Sequence, residues 1–147
     1  MSNVIGPAGL SGCFRCFLVW RPRNPDVARC PRCKSKLWDV PRLTKVRRGG
    51  GLGVQEILGP HRADVLAALR TNHAGNPRVF GSVARGTATP KSDVDLLVDF
   101  DPKASAFDQV GLMDDLAGIL GRKVDVTTSE DLHWIVRPQV LIEAVPL

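Results

Sequence analysis

The stretch FGSVARGTATPKSDVDLLVDF, residues 80–100, decides the fold. From Asp93 onward it alternates: Val94, Leu96, Val98 and Phe100 fall on one face of an extended chain, and Asp93, Asp95, Leu97 and Asp99 on the other. Side chains two apart on a strand point the same way, about 6–7 Å from one another. Asp93 and Asp95 therefore present two anionic groups to one small volume, where they repel unless a cation lies between them. The first half of the stretch turns sharply. Gly81 lacks a Cβ and lets an anion approach the backbone, Ser82 offers a hydroxyl, and the turn that follows aims free N–H groups outward. A Gly-Ser turn, ten residues and then Asp-x-Asp read together as a phosphate cradle beside a carboxylate pair.

Outward from this stretch the elements alternate between helix and strand. QEILGPHRADVLAALRTN, residues 55–72, spaces Ile57, Leu58, Val65, Leu66 and Leu69 for a helix, with Gly59-Pro60 breaking the pattern so that the main helix begins near Pro60. Arg78 to Gly81 reads as a short strand and Ser82 to Gly86 as a tight or single helical turn. Downstream, Ser105 with Asp108 resembles a capping box, and Leu112, Met113, Leu116, Ile119 and Leu120 form an apolar stripe ending at Gly121. GRKVDVTT is a further strand with Val124 and Val126 on one face and Asp125 on the other, and VLIEAVPL is expected to be helical until Pro146.

The carboxylates carry the chemistry. Magnesium prefers oxygen ligands and combines a few carboxylates with substrate phosphates, which suits Asp93 and Asp95. If the strand of Asp125 lies beside theirs, a third carboxylate joins them. Three then support two ions about 3.5–4 Å apart, the spacing used to stabilise the attacking and leaving oxygens in phosphoryl chemistry. The blander reading is a turn and an ordinary strand with a solvated face. Arg85 or Lys91 can assist a triphosphate or simply lie on the surface. His61, His73 and His133 have no partners in recognisable spacing.

The chain has 147 residues and a net charge of +5, but the charge is uneven: residues 1–50 carry +9 and the remainder −4. Between the halves, RRGGGLG is too glycine-rich for a continuous helix or strand. The expected organisation is a module over residues 1–46, a linker over 47–53 and a second domain over 54–147. With no leader pattern at the N-terminus and no long apolar run, a cytoplasmic protein without a membrane partner is expected. In that reducing compartment Cys13, Cys16, Cys30 and Cys33, two Cys-x2-Cys pairs separated by thirteen residues, read as a structural zinc site. So small and polar a segment can hardly fold without the metal. Its arginines, interleaved with Phe14, Phe17, Trp20 and Trp38, suit nucleic acid, though Trp20 and Trp38 fit the small core around the metal better. Operator DNA, RNA and a protein partner all stay open for it.

The segment 80–100 is similar, almost residue by residue, to the signature of the DNA polymerase beta-like nucleotidyltransferases. Within them the resemblance is nearest to the minimal nucleotidyltransferases, the MNT antitoxins of HEPN-MNT toxin-antitoxin pairs, and extends from about Val54 to Leu147 through Ala84-Arg85-Gly86, KVDVTT and VLIEAVPL. The cysteine segment resembles a zinc ribbon. The resemblance implies an α+β fold, a mixed β-sheet flanked by helices, preceded by the four-cysteine module. It implies Mg²⁺ on Asp93, Asp95 and Asp125, the phosphates of ATP at Gly81 and Ser82, and transfer of AMP to a hydroxyl, a tyrosine of the cognate HEPN ribonuclease toxin, which neutralises it. A small-molecule transferase has little chain left for an acceptor domain. A catalytically idle toxin-masking or nucleic-acid-binding regulator would have no need of the full carboxylate set.

Overall fold

The computed structural model describes residues 7–24, 26–41 and 49–147. Residues 1–6, 25 and 42–46 of the expected module, and Arg47 and Arg48 of the expected linker, lie outside the described residues. The chain divides into two compact units, Met1–Leu43 with Leu132–Ile142, and Thr44–Asp131 with Glu143–Leu147.

In the first unit, β1 (Ser11–Gly12) pairs antiparallel with β2 (Val19–Trp20). Cys13, Cys30 and Trp38 form its buried centre, with Trp20 edge-on to Trp38 at 5.1 Å between ring centroids. The Trp38 indole N–H donates to the Val27 carbonyl at 3.0 Å, which satisfies its polar end inside the core. Phe14 is buried as well, whereas Phe17 is 55% exposed. Phe14 and Trp38 are thus buried in this unit, and the half-buried Trp20 packs against its core. Gly12 lies against Ile135 and Trp134, where a Cβ would collide with both side chains.

The second unit opens with α1 (Val54–Ile57), a 3-10 turn at Gly59–His61 and α2 (Arg62–Thr71). Then follow β3 (Ala74–Phe80), α3 (Gly81–Ala84), β4 (Val94–Phe100), α4 (Ala106–Leu120) and β5 (Val124–Thr127); of α5 (Arg137–Glu143) only Glu143 belongs to this unit, which closes with β6 (Val145–Pro146). The sheet order is β5-β4-β3-β6, with β4 and β5 parallel and the other pairs antiparallel. This is the expected mixed sheet with helices. Val65 and Leu69 of α2, Leu112 and Leu116 of α4, and Val79, Leu96, Val98, Val124 and Val126 of the strands share one core.

The ends of α4 follow from local chemistry. The Asp108 carboxylate accepts from the Ser105 N–H at 2.6 Å and from its hydroxyl at 2.7 Å, and Gly121 closes the helix in the left-handed region.

Three elements differ from expectation. β3 begins at Ala74, four residues early, because a register shift between Gly75 and Arg78 absorbs Asn76 and Pro77, and Asn76 then donates to Asp99 at 2.7 Å. The closing segment is helical only to Glu143. Val145 and Pro146 instead pair with Val79 and Arg78 as an edge strand, where a proline's missing donor does no harm. Part of the glycine stretch is also pinned: Leu52 and Ala88 exchange both backbone hydrogen bonds, at 2.8 and 3.2 Å. Among the described residues no helix is long and apolar enough to cross a membrane.

Candidate active site

Strand pairing assembles the site. Phe80, the last residue of β3, is the register partner of Asp95 on β4, so the chain turns into α3 directly beside that carboxylate. Gly81 sits at φ 71°, and a Cβ there would collide with Asp95 Oδ2. Both the backbone angle and the close approach therefore require glycine. Asp95 is in turn the register partner of Asp125 across the parallel pair β4–β5. Asp93 stands two residues before Asp95, at the entrance to β4. The three sequence-predicted carboxylates converge on one end of the sheet, with Gly81 and Ser82 beside them.

A strand with one solvated face does not account for this region. Leu97 shares the face of Asp93 and Asp95 yet is 0% exposed, while Asp99 at the far end is open to solvent and pairs with Arg78 at 3.0 Å. Burial pushes the Asp95 carboxyl above its ordinary range, and the neighbouring Asp125 and Asp93 push it further. Concentrated negative charge draws in a cation from the chain itself. The Lys123 ammonium lies 2.9 Å from Asp125 Oδ2 and 3.3 Å from Asp93 Oδ2, and these contacts raise its own pKa. An ammonium held between two carboxylates, with a third beside them, marks this end of the sheet as one that attracts cations, and oxygen donors of this kind are the type that hard divalent cations prefer.

Arg85 caps α3 and reaches Glu143, the last residue of α5; its Nη1 lies 3.2 and 3.1 Å from the two carboxylate oxygens. Glu143 Oε1 also accepts from the Gly81 N–H at 3.1 Å. Lys91 is exposed. His73 contacts Asp108 at 3.2 Å, at the start of α4 and apart from the carboxylate group. Sequence reasoning missed Lys123 and Glu143. Lys123 was legible as the cation two residues from Asp125 on a strand, and Glu143 as the lone acid in the closing sixteen residues.

The cysteines form a second candidate centre. All four Sγ atoms lie within 4.8 Å of one another, and Cys13–Cys33 and Cys16–Cys30 each stand at 3.7 Å. A zinc tetrahedron with bonds of about 2.3 Å has sulfur–sulfur edges of about 3.8 Å, which the Cys13–Cys33 and Cys16–Cys30 separations match. The two Cys-x2-Cys turns are built alike. Phe17 donates to the Cys13 carbonyl at 2.8 Å and Lys34 to the Cys30 carbonyl at 3.0 Å, and both donors adopt left-handed angles, φ 56° and 58°. Burial pushes the Cys13 thiol up to about 12. Burial acts on Cys30 too, but the N–H groups of Cys33 and Arg32 and the thiols of Cys13 and Cys16 outweigh it and bring Cys30 down to about 7.

Comparison with known proteins agrees with this geometry. Residues 66–147 match the nucleotidyltransferase domain family. A Methanocaldococcus jannaschii chain named as a protein adenylyltransferase is 40% identical over 81 residues, covering 55% of this chain and 87% of that one. Protein adenylyltransferase MntA of Thermococcus cleftensis is 34% identical over 92 residues, covering 63% of this chain and 90% of its own length. A solved structure named for a minimal nucleotidyltransferase superposes with a TM-score of 0.58 at 41% identity, over 67% of this chain and 100% of that one. The crystal structure of a toxin-antitoxin with AMP-PNP, 23% identical, shares the fold at a TM-score of 0.50, over 57% of this chain and 69% of that one. Because the family match spans more than half of the sequence and takes in the Gly81 turn and all three carboxylates, this chain belongs to the nucleotidyltransferase domain family.

Proposed function

We propose that this protein is an antitoxin that transfers AMP from ATP to a tyrosine hydroxyl of a cognate HEPN ribonuclease toxin and so neutralises it. The observation that carries this reading is the convergence of Asp93, Asp95 and the register-paired Asp125 beside the Gly81-Ser82 turn. The names of the relatives, protein adenylyltransferases and an MntA, favour a protein acceptor over a small molecule.

In this reading Asp93, Asp95 and Asp125 hold Mg²⁺. Bound there, the ions would neutralise the triphosphate and lower the pKa of the acceptor hydroxyl. Gly81 and Ser82 seat the phosphates against backbone N–H groups and the Ser82 hydroxyl, and Arg85 adds positive charge. The acceptor oxygen forms a bond to the α-phosphorus, the bond from that phosphorus to the bridging oxygen of the β-phosphate breaks, and pyrophosphate leaves. Asp125 takes the acceptor proton. Cys13, Cys16, Cys30 and Cys33 hold zinc as a structural ion. The Arg and Lys side chains of the cysteine module suit a polyanion, and binding of RNA or DNA that falls steeply with salt is the check on that role.

The test uses α-labelled ATP and the co-expressed toxin. Label is expected on a toxin tyrosine and lost with Asp93→Asn plus Asp95→Asn; transfer unchanged in that variant rejects the site. The chain contains no tyrosine, so any tyrosine-linked AMP comes from modification in trans.

A further inference from the structure

One buried charge is left over once the carboxylate site has been accounted for. The Glu143 side chain is 9% exposed, and an ionised carboxylate in such a position requires partners. It has two, and both belong to the same turn. Oε1 accepts from the Gly81 N–H at 3.1 Å, at the start of α3, while Arg85 Nη1, at the end of α3, lies 3.2 and 3.1 Å from Oε1 and Oε2.

This contact is set by backbone pairing. Val79 pairs with Val145 and Arg78 with Pro146 in the antiparallel register of β3 and β6. Continued two residues past Val79, the same register brings Glu143 opposite Gly81. The edge strand thus delivers the carboxylate to the turn, and the charge-assisted bonds lock both ends of the turn to it. Arg85 is also near enough for its charge to act on Asp95, lowering the pKa that burial raises. Arg85 meets Glu143 through Nη1, and its side chain is 37% exposed, which leaves part of its five-donor fork facing solvent.

We propose that Glu143 is a positioning residue for the nucleotide: it holds Arg85 and the Gly81 backbone in the arrangement that receives the phosphates. The proposal rests on the reading of the Gly81-Ser82 turn as the triphosphate site. Its opposite is that Glu143, an anion on the Gly81 N–H, competes with phosphate for that donor. The two make opposite predictions.

The experiment measures binding of Mg-ATP to the full chain and steady-state transfer to the co-expressed toxin for wild type, Glu143→Gln, Arg85→Ala and the double variant. Glu143→Gln keeps the shape and one acceptor oxygen, and its melting curve is recorded beside wild type. Expected is a rise of about tenfold or more in the ATP Kd and KM with kcat changed less than about threefold, since a positioning loss falls on ground-state binding. Adding Glu143→Gln to Arg85→Ala is expected to weaken binding little further, because the two act as one unit. Unchanged or tighter ATP binding in Glu143→Gln overturns the proposal. Equal losses in KM and kcat that track a lowered melting point also overturn it, as they report a merely structural residue. If wild type itself binds no Mg-ATP, the triphosphate reading fails together with the proposal, which separates that failure from failure of the Glu143 role alone.

Discussion

Asp95 and Asp125 are register partners across β4 and β5, the one parallel pair among the described strands, and so stand a single strand spacing apart. Fixed backbone pairing, with Asp93 two residues away, holds three like charges together whether or not a cation is present. The three carboxylates repel one another, and in the proposed reading Mg²⁺ or Mn²⁺ relieves that repulsion. Melting is expected to rise with added ion, by about 2.7 kcal/mol of stabilisation at 100 times Kd. In Asp95→Asn the metal-free protein should melt higher than wild type, the ion-dependent rise should vanish, and transfer should fall by more than about 100-fold, since even outer-shell losses reach 10–100-fold. Calorimetry with and without EDTA, beside the label assay, measures all three.

Gly81 is the next most constrained position. Alanine there would take a left-handed angle at a cost of about 1–2 kcal/mol and drive its Cβ into the Asp95 carboxylate. Gly81→Ala should lower stability by at least that amount and abolish Mg-ATP binding. Ser82→Ala, which removes only a hydroxyl, should weaken binding and leave the melting curve near wild type. Equal effects from the two variants would show that the close approach at Gly81 is unimportant.

Lys123 bridges Asp93 and Asp125 from a side chain that is 63% exposed. In the proposed reading an arriving divalent ion displaces it. Lys123→Met removes this internal competitor and is expected to tighten Mn²⁺ binding about two- to fivefold, the range set by an exposed ion pair, while lowering the melting point measured in EDTA. Electron paramagnetic resonance titration reads the first effect and calorimetry the second. Weaker Mn²⁺ binding in the variant would show that Lys123 supports the ion and does not displace it.

How much of this was legible follows from the range of the interactions. The alternation of residues 93–100, the Ser105–Asp108 cap and the Gly121 stop are local patterns, and all appear in the structure. The pairing of Asp125 with Asp95 needed only one long-range assumption, that two strands of matching pattern lie side by side. Glu143 needed more. Its place depends on Val145 and Pro146 leaving the helix to pair with β3, and that pairing cannot be read from a proline that looks like a helix stop. The early start of β3 was hidden in the same way, because Asn76-Pro77 carries turn chemistry and only the sheet shows it to be a bulge.

Asp108 sets a pH dependence for the fold. The Ser105 backbone N–H, the Ser105 hydroxyl and His73 hold its carboxyl down to about 2 from an ordinary 3.8. A carboxylate whose folded pKa is depressed contributes stability above its unfolded pKa and loses it as pH falls through the folded one. Stability should therefore drop between about pH 4 and pH 2, and Asp108→Asn should flatten that part of the profile while leaving Asp93, Asp95 and Asp125 in place. Urea midpoints across the pH range provide the measurement, and a profile as steep as wild type would remove Asp108 from the account.

The cysteine module makes a separate prediction, since among the described residues the cluster at its centre is Cys13, Cys30 and Trp38, with few other buried apolar residues such as Phe14 in the unit. So small a core cannot offset the entropy of ordering the chain, and two of the sulfur–sulfur separations already match the edge of a zinc tetrahedron. Protein isolated without added metal is expected to carry one zinc per chain by mass spectrometry under native conditions. Stripping it with a strong chelator should abolish the near-ultraviolet circular dichroism that arises from Trp20 packed edge-on against Trp38, and readdition of zinc should restore it. Cys30→Ser should behave as the stripped protein does, because it removes a buried ligand. Cys33→Ser, at the exposed corner of the site, should retain zinc with lower affinity. Persistence of the tryptophan signal after complete zinc removal would mean that the aromatic pair folds the module without metal and that the cysteines serve another purpose.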